Sequence, residues 1–400
     1  MQTDNFKGEE KIELPQGFRA AGVNAGIKDG GRLDMAMIAS DRPASVAGTF
    51  TANRCPSAPV QVCRKHLAGR CGRAVVVNSG IANAATGPDG LADAENMAAQ
   101  TAEALAVAAD EVFVCSTGSI GPRLPMDIIA SGIAKLAEQC GPKGGEDAAR
   151  AIMTTDTRPK RWTVRTEVDG KAVTVSGIAK GAGMIEPDMA TMLAFIMTDA
   201  DVVAEDLQRA LSDAVDASFN RITVDGDMST NDTVLLFANG AAGNKPLECD
   251  GPGWTEFTQA LGEVCSRLAW MIVADGEGAS KVATITVAGA AAAADAEMAA
   301  RAIANSLLIK TAWAGDNPAC GRVVDALGYS GAKLDPATID VSYGELEAIR
   351  NGERGCAAEA ELREWVSRPE FGIRVDLNQG EHSATVYTCN ISEEYVRINM

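Results

Sequence analysis

Short apolar or alternating runs, separated by stretches of helical period, cover nearly the whole chain. Residues 17–50 alternate small and apolar positions, break at Asp29-Gly30-Gly31 and resume as MAMIAS, the pattern of a β-hairpin. The runs AVVVN (74–78) and EVFVC (111–115) are short and apolar and predict buried strands. Each feeds a polar loop, SGIANAATGPDG or STGSIG, and then a helix, over 91–108 and 126–139, with a further helix over 145–153. Beyond residue 200 the spacing predicts helices over 204–218, 255–275 and 294–306, with another starting near Arg322 after a long loop through GDNPACGR. Strands are expected at RITVDGD (221–227), in the apolar run of MSTNDTVLLFANG, at 283–287, near 339–341 and over 384–389. Strands and helices alternate throughout, so the fold class is α/β, with a smaller carboxy-terminal α/β unit expected from about residue 283.

One junction stands out from this alternation. Two alternating stretches, RWTVRTEV and KAVTVSGIA, meet at Asp169-Gly170, a dipeptide suited to tight hairpins. They deliver the chain into KGAGMIEPDMATMLAFIMT (180–198), whose first half holds Gly181, Gly183 and Pro187 and whose second half is almost unbroken apolar sequence. A flexible or strained loop therefore enters a buried strand, with Thr191 at the head of that strand.

Composition narrows the function classes. Four hundred residues, 46% of them apolar, suffice for two or three domains with large cores. A net charge of -18 excludes a general phosphate-backbone binder, so no nucleic-acid partner is expected. Any site for an anionic substrate must then be built from a few chosen lysines or arginines. The amino terminus, MQTDNFKGEEKIEL, has no secretory character, and no uncharged apolar run is long enough to span a membrane; a soluble, cytoplasmic protein is expected. Ten scattered cysteines without a C-x-x-C pair suit a reducing compartment. Two histidines, far apart in sequence, give little support to a zinc site or a Ser-His-Asp triad, and no metal is expected.

Thr191 has two readings. A threonine at the head of an apolar strand can be a plain β-former. If the Ala190–Thr191 peptide bond is cut, however, Thr191 carries hydroxyl and α-amine together, a self-contained nucleophile and base. An α-amine has a reference pKa of about 7.7–8.0 against about 10.4 for lysine, so near neutral pH it is the better base and Lys180 is better used as a fixed cation. Lys180 can equally be a solvated strand-end lysine. Thr117 and Gly118, in the loop after EVFVC, could aim an O–H and an N–H at an oxyanion. Glu277, flanked by glycines, could meet a ligand or be a surface acid. The run Thr154, Thr155, Asp156, Thr157 could bind an amino acid or cap a turn. DGDMSTND (225–232) is rich in carboxylates but lacks the spacing of a calcium loop.

Taken together, these segments closely resemble the ornithine acetyltransferase family, also called bifunctional glutamate N-acetyltransferases. The likeness runs over essentially the whole chain, through GFRAAGVNAGIK, VVNSGIANAATG, STGSIG, TTDT, the 180–198 junction, SFNRITVDGDMSTNDT, VADGEGASK, GDNPACGR and EEYVRIN. The resemblance implies a layered α/β sandwich and self-cleavage between Ala190 and Thr191 into an α chain (1–190) and a β chain (191–400), paired as α2β2. Residues 191–282 would complete the catalytic domain and 283–400 form the smaller one. It implies Thr191 as the acetyl carrier, Thr117 and Gly118 as the oxyanion hole, and Thr155, Lys180, Thr191, Glu277 and Asn399 as the substrate site. The implied reaction moves acetyl from N2-acetylornithine to glutamate in arginine biosynthesis, without a cofactor; some members also take acetyl from acetyl-CoA.

Three positions depart from the family pattern. Members usually continue several residues beyond the terminal Asn to a hydroxyl residue, whereas this sequence ends at Asn399-Met400. Cys320 stands where an aromatic is common, and Glu186 where a histidine or small residue is common. Two other functions fit a member altered in this way: a self-cleaved hydrolase or transferase for another amino acid, and an inactive relative serving as a binding protein.

Overall fold

The computed structural model describes residues 8–186 and 192–400. Ala190 and Thr191, the expected cleavage pair, lie outside the described residues. The first hairpin is β1 (Phe18–Val23) and β2 (Met35–Phe50), followed by α1 (Ala58–Leu67), β3 (Cys71–Ile81), α2 (Gly87–Leu105), β4 (Val112–Ser119), α3 (Met126–Gln139) and α4 (Gly145–Ala151). A second hairpin, β5 (Lys160–Val168) and β6 (Lys171–Lys180), leads to β7 (Leu193–Thr198), α5 (Ala204–Asp216), β8 (Thr233–Ala238) and α6 (Trp254–Ala274). Next come β9 (Val282–Ala290), α7 (Ala293–Asn305), α8 (Leu307–Ala314), α9 (Cys320–Tyr329), β10 (Asp340–Tyr343), β11 (Leu346–Arg350) and β12 (Glu353–Arg354). The last elements are α10 (Glu359–Val366), β13 (Glu370–Asp376), β14 (His382–Cys389) and α11 (Glu393–Ile398).

Strands β1 to β8 form one sheet in the order β4-β3-β2-β8-β7-β6-β5, with β1 also paired to β2. Its side chains sort into three apolar clusters, which define the layers. Met37, Val76 and Val114 pack outward against Val62 of α1, Met97 of α2 and Ile133 of α3. Ala194, Ile196 and Leu236 pack the other way, against Leu207 of α5 and Leu268 of α6. Between them lies an inner cluster in which Ile38, Val75 and Phe113 from one half of the sheet meet Phe195, Met197 and Phe237 from the other. The order is helix, strand, strand, helix: the expected layered α/β sandwich. Strand β7 shows why its sequence is continuously apolar, since Phe195 and Met197 face the inner cluster while Ala194 and Ile196 face the helices.

The hairpin at Asp169-Gly170 forms as expected, both residues taking left-handed backbone angles (φ 50° and 70°), as a tight two-residue turn requires. Strands β9 to β14 make a second sheet, β12-β11-β10-β13-β9-β14, covered by α7 to α10 over its own apolar cluster. No helix among the described residues is long and apolar enough to cross a membrane.

Three expectations about elements need correction. RITVDGD is not a strand; Ile222 makes one isolated bridge to Tyr387, and beyond it Asp225 binds the Met184 and Ile185 N–H groups at 2.5 and 2.9 Å. The long loop expected before GDNPACGR contains α8, which buries Ile309 and Trp313 but leaves Leu307 and Leu308 exposed, blurring its period. Helices α1, α10 and α11 and strands β11 to β13 were not anticipated, the later ones being short and heavily charged.

Candidate active site

One cavity of about 460 Å³ gathers Thr117, Gly118, Thr155, Lys180, Glu277 and Asn399. They come from distant parts of the chain: Thr117 and Gly118 from the end of β4, Thr155 from the segment after α4, Lys180 from the last position of β6. Glu277 follows α6, and Asn399 follows α11.

The β4 end is shaped by glycine. Gly118 sits beside Gly80 in the parallel β3/β4 register, with φ 125°, and a β-carbon there would lie 2.2 Å from the Gly80 carbonyl carbon. Only glycine lets the two backbones approach so closely. Next to it, the buried Thr117 hydroxyl accepts an N–H from Lys180 at 3.1 Å. Its own proton is therefore left to donate, which suits an oxyanion donor.

Lys180 is a buried cation with arranged neighbours. Burial pushes its ammonium below the ordinary lysine range, Asp156 opposes that, and Lys160 adds to it. Asp156 in turn accepts from Lys160 at 2.6 Å and from the Gly181 N–H at 2.8 Å, and Lys160 also binds Asp275 at 2.6 Å. The TTDT run thus divides its work: Thr154 and Thr155 line the cavity, Asp156 holds the lysines, and Thr157 binds Asp275.

The strand that follows the junction is pinned at its first described residue. Met192 donates its N–H to Asp232 at 3.0 Å and accepts from Thr233 N–H at 3.2 Å. In the β6/β7 register Lys180 pairs with Leu193, two residues after Thr191. The site's cation and the head of the strand are therefore neighbours.

Beside the 181–183 segment that follows Lys180, Glu277 accepts from the Asn399 side chain at 2.6 Å and gives its own N–H to Ala182 O at 2.8 Å. A β-carbon on Gly183 would stand 2.5 Å from the Glu277 carboxyl carbon, so a larger residue there would push that carboxylate aside. Sequence reasoning missed several lining residues: Lys28, Arg32, Asp225, Asp227, Ser229, Asn231 and Tyr395. A signal for part of this set was present, since 225, 227, 229 and 231 recur with the period of two of an extended segment.

The arrangement has known relatives. A model of the ArgJ family matches residues 19–400. The chain belongs to the ArgJ family. An arginine biosynthesis bifunctional protein ArgJ from Geobacter sulfurreducens is 48% identical over 386 residues, covering 96% of this chain and 98% of that one. One from Symbiobacterium thermophilum is 46% identical, covering 97% of each. The crystal structure of arginine biosynthesis bifunctional protein argJ from Bacillus halodurans is 39% identical with a TM-score of 0.50, matching 51% of this chain and 97% of its own.

Two of the departures from the ArgJ pattern now have a place. Cys320 starts α9 and packs at the edge of the second sheet's core, and it does not line the cavity. Glu186 reaches across to the second sheet's layer, accepting from Thr223 Oγ1 at 2.7 Å and from Asn305 of α7 at 3.0 Å, with Arg301 at 3.9 Å. It fastens the loop ahead of the junction to α7.

Proposed function

We propose that the chain cuts itself between Ala190 and Thr191 and that Thr191 then carries acetyl from N2-acetylornithine to glutamate. The chain is an acetyltransferase of arginine biosynthesis, as its family membership indicates. The observation that carries the mechanism is Lys180, whose backbone pairs with Leu193 and whose side chain binds Thr117, joining the head of β7 to the oxyanion loop through one residue.

In maturation, Thr191 Oγ attacks the Ala190 carbonyl carbon. The hydroxyl proton passes to the Thr191 nitrogen, which leaves as an amine, and water hydrolyses the ester to free the Ala190 carboxylate. In the first half-reaction, Thr191 Oγ attacks the acetyl carbonyl while the α-amine takes its proton. The oxyanion is met by the Thr117 hydroxyl and the Gly118 N–H. The C–N bond breaks, the proton goes to the departing α-nitrogen, and ornithine leaves. Glutamate's amine then attacks the acetyl ester and the same steps run in reverse, giving N-acetylglutamate. One amide is exchanged for a very similar one, so no cofactor is required. Acetyl-CoA can serve as a second donor, since its thioester charges the same hydroxyl.

Thr155, Lys180, Glu277 and Asn399 hold the substrate in this reading, with Lys180 beside the α-carboxylate. The α chain (1–190) and β chain (191–400) stay together, 191–282 completing the catalytic domain and 283–400 the smaller one, and pair as α2β2 in the cytoplasm. The solved Bacillus halodurans chain, about half as long as this one, supports the two-chain form. A hydrolase is not favoured, because the relatives matching nearly the full length are the bifunctional proteins.

Mass spectrometry of purified protein, with an assay of ornithine release in the presence and absence of glutamate, tests the reading. Two fragments, one beginning at Thr191, and glutamate-dependent release are expected. Transfer retained by an uncut Thr191→Ala variant would refute it.

A further inference from the structure

The donor and the acceptor of the proposed reaction differ in the sign of their tails: ornithine ends in an ammonium and glutamate in a carboxylate. One cavity must serve both in turn, and its charges are sorted by wall. Asp225, Asp227 and Glu277 lie together near Tyr395, whose hydroxyl donates to Asp225 at 3.3 Å. Lys28 and Arg32 come from another element, the turn between β1 and β2. The charges acting most strongly on Lys28 are Arg32, Asp34, Lys180 and Asp156.

That turn is rigid. The buried Asp34 carboxylate accepts four consecutive backbone N–H groups, Ala25, Gly26, Ile27 and Lys28, at 2.6, 3.1, 2.6 and 3.0 Å. Lys28 Nζ donates to Leu33 O at 3.1 Å and to Met153 O at 2.5 Å, tying the turn to the segment that carries Thr154 and Thr155. An ammonium has three N–H donors, and these two bonds leave one for a ligand. Among the described residues no carboxylate forms an ion pair with either cation; Asp34 and Asp156 act on Lys28 only through space, Asp34 being bonded to backbone and Asp156 to Lys160 and Gly181. Arg32 is exposed at the cavity wall. In a chain of net charge -18, Lys28 and Arg32 therefore form a local cationic wall opposite in sign to the Asp225 side.

We propose that Lys28 and Arg32 form a side-chain subsite that binds the distal carboxylate of the acceptor amino acid, separate from the acidic wall that receives the donor's ammonium. This inference rests on the acetyl-transfer reading above. It gives one cavity two tails of opposite sign to hold without rebuilding itself between half-reactions. The half-buried setting of Lys28, together with Arg32, brings its ammonium down to about 8, so the subsite loses charge in mildly alkaline solution.

The test measures the two substrates separately on mature enzyme. Arg32→Ala, at an exposed position, is expected to raise the KM for glutamate about tenfold or more, the scale of a lost charge-assisted contact. The KM for N2-acetylornithine and the kcat at saturation should change less than about twofold on the same scale. Above pH 8 the wild-type KM for glutamate should climb, and Lys28→Arg should flatten that climb. An equal rise in both KM values would overturn the proposal in favour of a shared α-carboxylate site, and an unchanged glutamate KM would overturn it outright. Wild-type protein that transfers no acetyl to glutamate would instead remove the functional reading itself.

Discussion

Asn399 Nδ2 stands 2.6 Å from Glu277 Oε2, so the residue next to the end of the sequence closes one wall of the cavity on its carboxylate. Asn399 also donates to Tyr395 O at 2.9 Å, the last turn of α11 holding it in place. Hydrogen bonds to charged groups contribute about 1.5–3 kcal/mol. Asn399→Ala should therefore raise the KM for N2-acetylornithine about tenfold or more while leaving self-cleavage intact. Steady-state kinetics on the fully cut protein checks this, and a loss confined to kcat would mean that Asn399 acts on the chemistry instead.

Asp232 is the group to change if maturation is to be slowed. It is fully buried, and its Oδ1 holds the Met192 N–H at 3.0 Å. Burial pushes its carboxyl well up, against the Met192 N–H, the Thr51 hydroxyl and the Lys180 charge. Met192 follows Thr191 directly in sequence, so this carboxyl holds the backbone one residue past the expected cleavage point. Asp232→Asn keeps the shape and removes the ionisable oxygen. The expected result is an uncut band persisting about a hundredfold longer, the low end of the range for losing a positioned proton carrier. Time-resolved denaturing electrophoresis, with a melting curve to confirm folding, decides it.

Much of this was legible in sequence for a physical reason. The 180–198 junction combines glycines, a proline and a strand buried on both faces, and such local signals survive without the fold. Thr117, Gly118 and Lys180 sit at strand ends next to distinctive loops, and their convergence came from motif resemblance rather than spacing. Lys28 and Arg32 were not legible, because a turn cation becomes a site residue only when the β1–β2 hairpin is placed against the Thr154–Thr155 segment. Asp225 was misassigned to a strand because its neighbours Ile222 and Val224 are β-formers, whereas its carboxylate is bonded to the backbone of the 184–185 loop.

The buried trio Asp156, Lys160 and Asp275 sets the acid stability of the site. Burial alone would raise the Asp156 carboxyl, but Lys160, Lys180 and the Gly181 N–H bring it well below the ordinary carboxylate range. A carboxyl depressed in the folded state adds stability above its unfolded pKa of about 3.9, and that stability is lost as pH falls through the folded value. Asp156→Asn should therefore be clearly less stable than wild type at pH 7, with the gap narrowing below about pH 4. Lys160→Met is the harsher change, leaving two carboxylates buried without their shared cation, at a cost of about 3–5 kcal/mol. Denaturant titrations at several pH values measure both, and a gap that widens in acid would reverse the assignment.

Glu186 yields a prediction of opposite sign. The Thr223 hydroxyl lies 2.7 Å from Glu186 Oε2, 2.7 Å from Asn305 Oδ1 and 3.0 Å from Ile185 O. It has one proton for three acceptors, so a protonated Glu186 would complete the set by donating to Thr223. Burial raises the Glu186 carboxyl, with Thr223, Asn305 and Arg301 opposing, which favours that form. A carboxyl raised in the folded state contributes fully below its unfolded pKa of about 4.3 and loses that contribution as pH rises through the folded value. Glu186→Gln keeps a donor to Thr223 and removes the charge. It should match wild type at about pH 4, below the unfolded value, and become the more stable of the two by pH 8. Glu186→Ala should lose about 1–3 kcal/mol by leaving buried partners unpaired. Melting curves of the three proteins at both pH values check this, and a Gln variant that weakens with rising pH would show that the ionised carboxylate is what holds the loop to α7.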